Sequence, residues 1–253
     1  MTRKLACAVE RVVSHGDRVY TVWLRPDRQA PLFRAGQFLH LALDEYDPTR
    51  FWPESRVFSI ASSPRSRDVL RVSYSVRGSF TTRMEAELVE GRRVWIKMPY
   101  GDFVIDGRRD VVLFAGGTGI TAFTAFLESL CGTDARVSAP GERHERSIVV
   151  AYGARTSGLL IYRDLVDRCA REVPSFTASY FVERSSGHDG NEWGSSAAPH
   201  VGRVSAGAVW LAVPRPSAAS YYISGPPPML QTVSSDLRQA GIPQEAIHID
   251  AWE

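Results

Sequence analysis

The chain has 253 residues, a formal net charge of +2 and 44% hydrophobic residues, enough for one large globular core or two of ordinary size. So balanced a charge argues against nucleic acid or an anionic membrane as a partner, and no apolar run reaches the roughly 20 residues that a membrane span requires. The N-terminal MTRKLACAVERVV alternates charged and apolar residues instead of presenting a signal-peptide core, so a cytoplasmic protein is expected.

The first half reads as short strands between turn signals: KLACAVERVV, RVYTVWLRP, FRAGQFLHLAL, SRVFSIASS, LRVSYSV and RRVWIKMPYGDF. Alternation is visible in Phe38, His40 and Ala42 against Leu39, Leu41 and Leu43, and six such strands predict a small antiparallel barrel or sandwich. One helix interrupts them at SFTTRMEAEL, with Ser79 or Thr81 placed to cap it.

Near residue 107 the pattern changes to strand and helix units. RDVVLFA is a continuous apolar run of the buried parallel type; GGTGIT and the helical AFTAFLESL follow it. SIVVAYG leads to a helix over GLLIYRDLVDRCA, SFTASYFV is a third strand, and SYYIS and AIHID flank a helix within PMLQTVSSDLRQAGIP. The expected architecture is two domains, an antiparallel β-barrel over 1–106 and a doubly wound parallel α/β sheet over 107–253. Residues 132–146 and 184–202, rich in Gly, Ser, Pro and charge, are expected to be long surface loops.

Cys7, Cys131 and Cys169 lie far apart, which predicts neither a disulfide framework nor a zinc or iron–sulfur site. The six histidines have no paired spacing, so no metal is expected. Residues 1–106 hold 17 Lys and Arg against 13 Asp and Glu, while 107–253 hold 13 against 15. The excess would suit an acidic partner docking on the first half, although an imbalance of that size also arises by chance. Only two of the basic residues are lysine, a matter of composition and not of function.

Three segments carry candidate chemistry. A buried strand ending at Gly116-Gly117-Thr118-Gly119 and turning into a helix lets backbone N–H groups approach a phosphate, although the spacing is not G-x-G-x-x-G and a plain tight turn would look the same. SGPPPML, residues 224–230, also follows an apolar strand and precedes a helix; in open α/β sheets such loops line the ligand crevice, while Pro at a helix start is the purely structural alternative. Finally, Arg56-Val57-Phe58-Ser59-Ile60 places Arg56, Phe58 and Ile60 on one strand face and Val57 and Ser59 on the other. An arginine there, beside the helix starting near residue 79, would share an anion with that helix's N–H groups, or form a surface ion pair.

In that order, Arg56 to Ala61, Arg77-Gly78-Ser79-Phe80-Thr81-Thr82, Gly116-Gly117-Thr118-Gly119-Ile120-Thr121 and Ser224-Gly225-Pro226-Pro227-Pro228-Met229 resemble the ferredoxin–NADP reductase family over nearly the whole chain. The resemblance implies an FAD-binding barrel followed by an NAD(P)-binding domain. It places Arg56 on the FAD pyrophosphate, Val57 beside it, Phe58 against the flavin and Ser59 near the flavin's reactive nitrogen. Gly78, Ser79, Phe80, Thr81 and Thr82 would cradle the diphosphate. Gly116 to Thr121 would take the nicotinamide dinucleotide's phosphates, and Gly225, Pro226, Pro227 and Met229 would shape the nicotinamide pocket. AGQF, residues 35–38, fits the barrel pattern, though Gly36 also suits a mere bend. Asp250-Ala251-Trp252 resembles the family's acidic and aromatic ending, with Trp252 over the flavin and Asp250 joining Ser59 in proton movement; a frayed terminus is the alternative. Ser224 stands where the family often has cysteine, and Ala122 where proline is common.

Arg155 follows the second α/β strand with no carboxylate to pair a ribose diol, and Arg184 follows the third. Both favour NADPH over NADH, whereas Glu183 pulls the other way. The expected function is FAD-dependent hydride transfer from NAD(P)H and electron delivery to a separate acceptor, such as a ferredoxin-like or flavodoxin-like protein or an oxygenase component. The alternatives are a flavin or ferric reductase using dissociable flavin, and a flavin-bound electron-transfer or regulatory subunit inactive alone.

Overall fold

The computed structural model describes residues 1–107, 109–131, 146–184 and 198–250. It divides into two compact units, residues 1–104 with 124–126, and 105–123 with 127 onward.

The first unit is an antiparallel sheet of six strands: β1 (Arg3–Ser14), β2 (Val19–Pro26), β3 (Phe38–Ala42), β4 (Ser55–Ser59), β5 (Leu70–Ser75) and, after helix α1 (Ser79–Glu87), β6 (Arg93–Tyr100). The order β4-β3-β6-β1-β2-β5 puts β4 and β5 at the two edges. Just beyond β4, the Ala61 N–H donates to the Arg71 carbonyl of β5 at 2.8 Å, and the Arg71 guanidinium donates back to the Ala61 carbonyl at 2.6 Å. These bonds bring the two edges together into a nearly closed barrel, which removes most of the unpaired strand edge. The alternation seen in the sequence sends Leu39, Leu41 and Leu43 inward with Val22, Leu24, Leu70, Val72, Val94 and Ile96, while Phe80 and Met84 of α1 complete that core. Ala42 is also fully buried, which the strict alternation did not anticipate.

The second unit is a parallel sheet of β7 (Val111–Gly116), β8 (Ile148–Ala154), β9 (Phe176–Val182), β10 (His200–Val201), β11 (Ser220–Ser224) and β12 (Ile247–Asp250), ordered β10-β9-β8-β7-β11-β12. Strand order reverses at β7, with β8 on one side and β11 on the other. The helices are α2 (Thr121–Leu130), α3 (Arg163–Glu172), the short α4 (Ala206–Val209) and α5 (Pro227–Gln239). β7 is buried at all but its last residue, as a central parallel strand requires.

Two expectations need correction. The helix after β8 begins at Arg163, not Gly158, because Ser157–Leu159 forms a 3₁₀ turn and Leu160 leaves helical geometry. The apolar run Leu159-Leu160 reflects burial of that turn and not a helix face. A sixth strand, β10, lies inside the segment expected to be all loop; its pairing of His200 with Phe181 and Val201 with Val182 comes from β9 and not from its own composition. Two cysteines that are far apart in sequence also meet in space, the Cys131 and Cys169 sulfurs approaching to 2.7 Å with both thiols free. Most of 132–146 and 184–202 lies outside the described residues. No helix among the described residues is long and apolar enough to cross a membrane.

Candidate cofactor-binding sites

In the first unit the chemistry gathers around β4 and the start of α1. Pairing with β3 sets Arg56 opposite Leu41 and Phe58 opposite Leu39, both core residues, so Arg56 and Phe58 share the inward side, while Val57 and Ser59 lie opposite His40 and Phe38. Phe58 is partly buried against the barrel core, 6.2 Å from the Tyr74 ring. Arg56, at the strand's open end, carries its guanidinium 5.2 Å above the Phe80 ring in the first turn of α1. It also bonds the Ser55 carbonyl at 3.0 Å and pairs with Glu54 at 3.0 Å, both carboxylate and guanidinium being half exposed. A pair so wet holds Arg56 weakly, so an incoming anion displaces Glu54 at small cost.

The expected cap of α1 is replaced by a different arrangement. Gly78, not Ser79 or Thr81, is the N-cap residue, and no side chain caps the helix. Thr81 instead turns its hydroxyl outward to the preceding chain, accepting from the N–H groups of Arg77 at 2.9 Å and Gly78 at 3.1 Å. That leaves the first-turn N–H groups of Ser79 and Phe80 outside the helix's own ladder, which begins with Thr82 donating to Gly78. A side chain on Gly78 would meet nothing within 4 Å, so the space in front of this helix end is open. An open, uncapped helix start beside an arginine fits a phosphate group.

Sequence reasoning missed Tyr74. Its hydroxyl is buried without a hydrogen-bond partner, beside Phe58 and stacked on Tyr20 at 5.5 Å, and burial pushes its pKa up. The alternation Leu70, Val72, Tyr74 already pointed it inward.

In the second unit, β7 and β11 end side by side, with Ala115 in register with Ser224, and their two following loops are pressed together. A Cβ on Gly116 would lie 2.7 Å from the Met229 sulfur and 2.8 Å from Pro226; one on Gly225 would lie 3.1 Å from the Gly116 backbone; one on Gly119 would strike the Ser224 carbonyl. These three glycines therefore serve loop-to-loop packing. Gly117 is different, with φ +55° and open space where a Cβ would point. It starts a 3₁₀ turn through Thr118 and Ile120 that runs directly into α2, and Thr121 ties the turn back to the Thr118 carbonyl at 2.8 Å. Pro226 is the N-cap of α5 and Pro227 its first residue, so the prolines are both a helix start and a wall against Gly116.

Ser224 and Asp250, which the sequence singled out separately, are joined. The Ser224 hydroxyl donates to the Asp250 carboxylate at 2.8 Å across the ends of β11 and β12, and both residues are buried. At the ends of β8 and β9, the Arg184 N–H donates to the Arg155 carbonyl at 2.9 Å, which sets the two exposed arginines side by side. Glu183 is taken by Arg203 at 3.2 Å. Gly36 has φ +95° and its missing Cβ makes room for the Phe103 backbone, a structural use. Trp252 lies outside the described residues. Among the described residues no three His, Cys, Asp or Glu side chains are grouped to hold a metal.

Residues 113–235 match the family model of the oxidoreductase NAD-binding domain. Over 249 residues the chain is 27% identical to the reductase component DmpP of phenol 2-monooxygenase from Pseudomonas sp. strain CF600, covering 96% of this chain and 64% of that protein. A ferredoxin NADP+ reductase from Neisseria gonorrhoeae, solved with FAD and NADP, superposes with a TM-score of 0.71 at 18% identity over 98% of both chains, a likeness of fold. The chain carries an oxidoreductase NAD-binding domain and shares the fold of that reductase. Another relative, the flavohemoprotein of Bordetella pertussis, is 26% identical over 231 residues, which are 88% of this chain and 53% of that protein. The chain thus spans about half the length of such relatives. The open start of α1 beside Arg56 and the Gly117 turn at the reversal point of the parallel sheet are both shaped to receive phosphate groups.

Proposed function

We propose that the chain is an FAD-dependent NAD(P)H oxidoreductase that passes electrons to a separate acceptor. The observation that carries this reading is the pairing of Arg56, over the first turn of α1, with a helix start that no side chain caps. FAD, when bound, supplies a two-electron acceptor for the nicotinamide and releases electrons onward singly or in pairs.

The chain's own residues bind, orient and hold protons. Arg56 and the Ser79 and Phe80 N–H groups hold the FAD diphosphate, with Val57 and Thr82 beside it and Phe58 presenting its exposed part to the ring system. Ser59, on the outer strand face, donates toward the flavin's reactive nitrogen. In the second unit the Gly117-Thr118-Gly119-Ile120 turn, at the start of α2, holds the dinucleotide phosphates, while Gly225, Pro226 and Met229 form a rigid wall that orients the nicotinamide. Ser224 and Asp250 share one proton at their hydrogen bond.

Arg155 and Arg184 together supply two guanidinium groups for a 2′-phosphate, and Arg203 pairs with the Glu183 carboxylate; NADPH is the preferred donor. Because the Pseudomonas relative is named as the reductase component of a monooxygenase, a protein oxygenase component is the acceptor class we favour.

An anaerobic visible spectrum tests the reading. The purified protein, reconstituted with FAD, is expected to show a flavin spectrum that bleaches faster with NADPH than with NADH. A protein that takes up no FAD, or a flavin that stays oxidised with both nucleotides, refutes it.

A further inference from the structure

The second unit holds a pair of groups that the nucleotide chemistry does not use. Cys131 is the residue at which α2 ends, and Cys169 lies on the buried side of α3. Their sulfurs are 2.7 Å apart, both thiols are free, and the side chains are 5% and 0% exposed. The Cys169 thiol also lies 3.4 Å from the Leu127 carbonyl in the last turns of α2, which turns its sulfur toward that helix end. Cys7, by contrast, sits in the barrel core of the other unit.

We propose that Cys131 and Cys169 form an oxidisable dithiol that closes to an intramolecular disulfide when the protein meets hydrogen peroxide, tying α2 to α3. The two sulfurs are already neighbours, so closing the bond requires no rearrangement of the sheet. The roles within the pair are unequal. Cys131 is the more accessible thiol, and its hydrogen bond with Cys169 holds its pKa below the ordinary thiol value against the opposing effect of burial; Cys169, at the other end of that bond and itself buried, is held above it.

The Cys131 thiolate attacks one peroxide oxygen; the O–O bond breaks, leaving a sulfenic acid on Cys131 and a hydroxide that is protonated to water. Cys169 sulfur then attacks the Cys131 sulfur. The S–O bond breaks, and the departing hydroxide takes the Cys169 proton as a second water. In sum, two thiols lose two electrons and two protons, and one peroxide becomes two waters. A link between positions 38 residues apart restricts the unfolded chain, so the oxidised second unit resists unfolding.

The test is peroxide treatment of the purified full chain, followed by intact mass, peptide mapping after alkylation under denaturing conditions, and thermal melting. The expected result is a product about 2 Da lighter, a peptide joining Cys131 to Cys169, a Cys7 that still alkylates, and a melting temperature raised by about 5 °C that a thiol reductant reverses. Cys131→Ser and Cys169→Ser should each abolish both the link and the rise. The proposal is overturned if treated wild-type protein keeps both thiols alkylatable, carries oxygen adducts on them without a link, links Cys7 instead, or melts no higher once linked; each of these is read on the unsubstituted chain.

Discussion

Gly119 lies against the backbone of Ser224 with no room for a side chain between them: a Cβ there would strike the Ser224 carbonyl and approach the Gly225 nitrogen to 2.7 Å. Both obstacles are backbone, so neither can swing aside. Gly119→Ala should therefore force the turn before α2 away from the end of β11, at a cost of about 1–3 kcal/mol to the second unit. Urea unfolding of the variant measures the loss, and weaker NADPH binding should accompany it. Gly117→Ala provides a contrast, since its Cβ would meet open space and its penalty comes only from the positive φ, about 1 kcal/mol.

Among the described residues, Arg56 is held by half-exposed Glu54, a backbone carbonyl and the Phe80 ring. Arg56→Ala should leave the barrel folded while weakening FAD retention by roughly 1.5–3 kcal/mol, the worth of one charge-assisted hydrogen bond. Equilibrium dialysis against FAD reads this directly. Retention equal to wild type would remove Arg56 from the diphosphate site.

Replacing Arg155 and Arg184 together by alanine should raise the KM for NADPH by about tenfold or more and leave the KM for NADH nearly unchanged, because only the former carries the 2′-phosphate. Equal changes for both nucleotides would mean that the two arginines do not read that group. The double variant is the informative one, since a backbone bond joins the two residues at the ends of β8 and β9.

His15, His40 and His248 all have pKa values pushed below 6.5, in each case chiefly by burial; the Lys97 charge adds to the effect at His40, and Asp106 opposes it at His248. The imidazole of His248 is also stacked on Tyr222 at 4.6 Å. In the unfolded chain these rings protonate near 6.5, whereas in the folded protein they do so at lower pH, so between those values the unfolded state binds more protons. Stability should accordingly be full above about pH 7 and decline as the pH falls through 6.5 toward 5. Melting temperatures across that range measure it, and His248→Gln should make the decline shallower.

Much of the architecture was legible in the residues. Alternating Leu39, Leu41 and Leu43 announced a barrel strand, and the unbroken VVLFA announced a central parallel strand, because side-chain period and burial on one or two faces are written locally. The helix at SFTTRMEAE was legible too, but not its cap. Which side chain reaches which N–H depends on the entry path of the chain, and Thr81 faces backward to Arg77 and Gly78 instead of closing the helix start.

By itself, then, the sequence determined the two kinds of sheet and the four segments that resemble a flavin reductase, since each is a pattern within a few neighbouring positions. Only the tertiary structure decided that Gly116, Gly119 and Gly225 are there for backbone packing while Gly117 and Gly78 face open space. It alone joined Ser224 to Asp250, set Arg155 beside Arg184, paired β10 with β9 and brought Cys131 to Cys169. All of these are contacts between residues distant in the chain, and no local period encodes them; they follow from the order in which the parallel strands assemble.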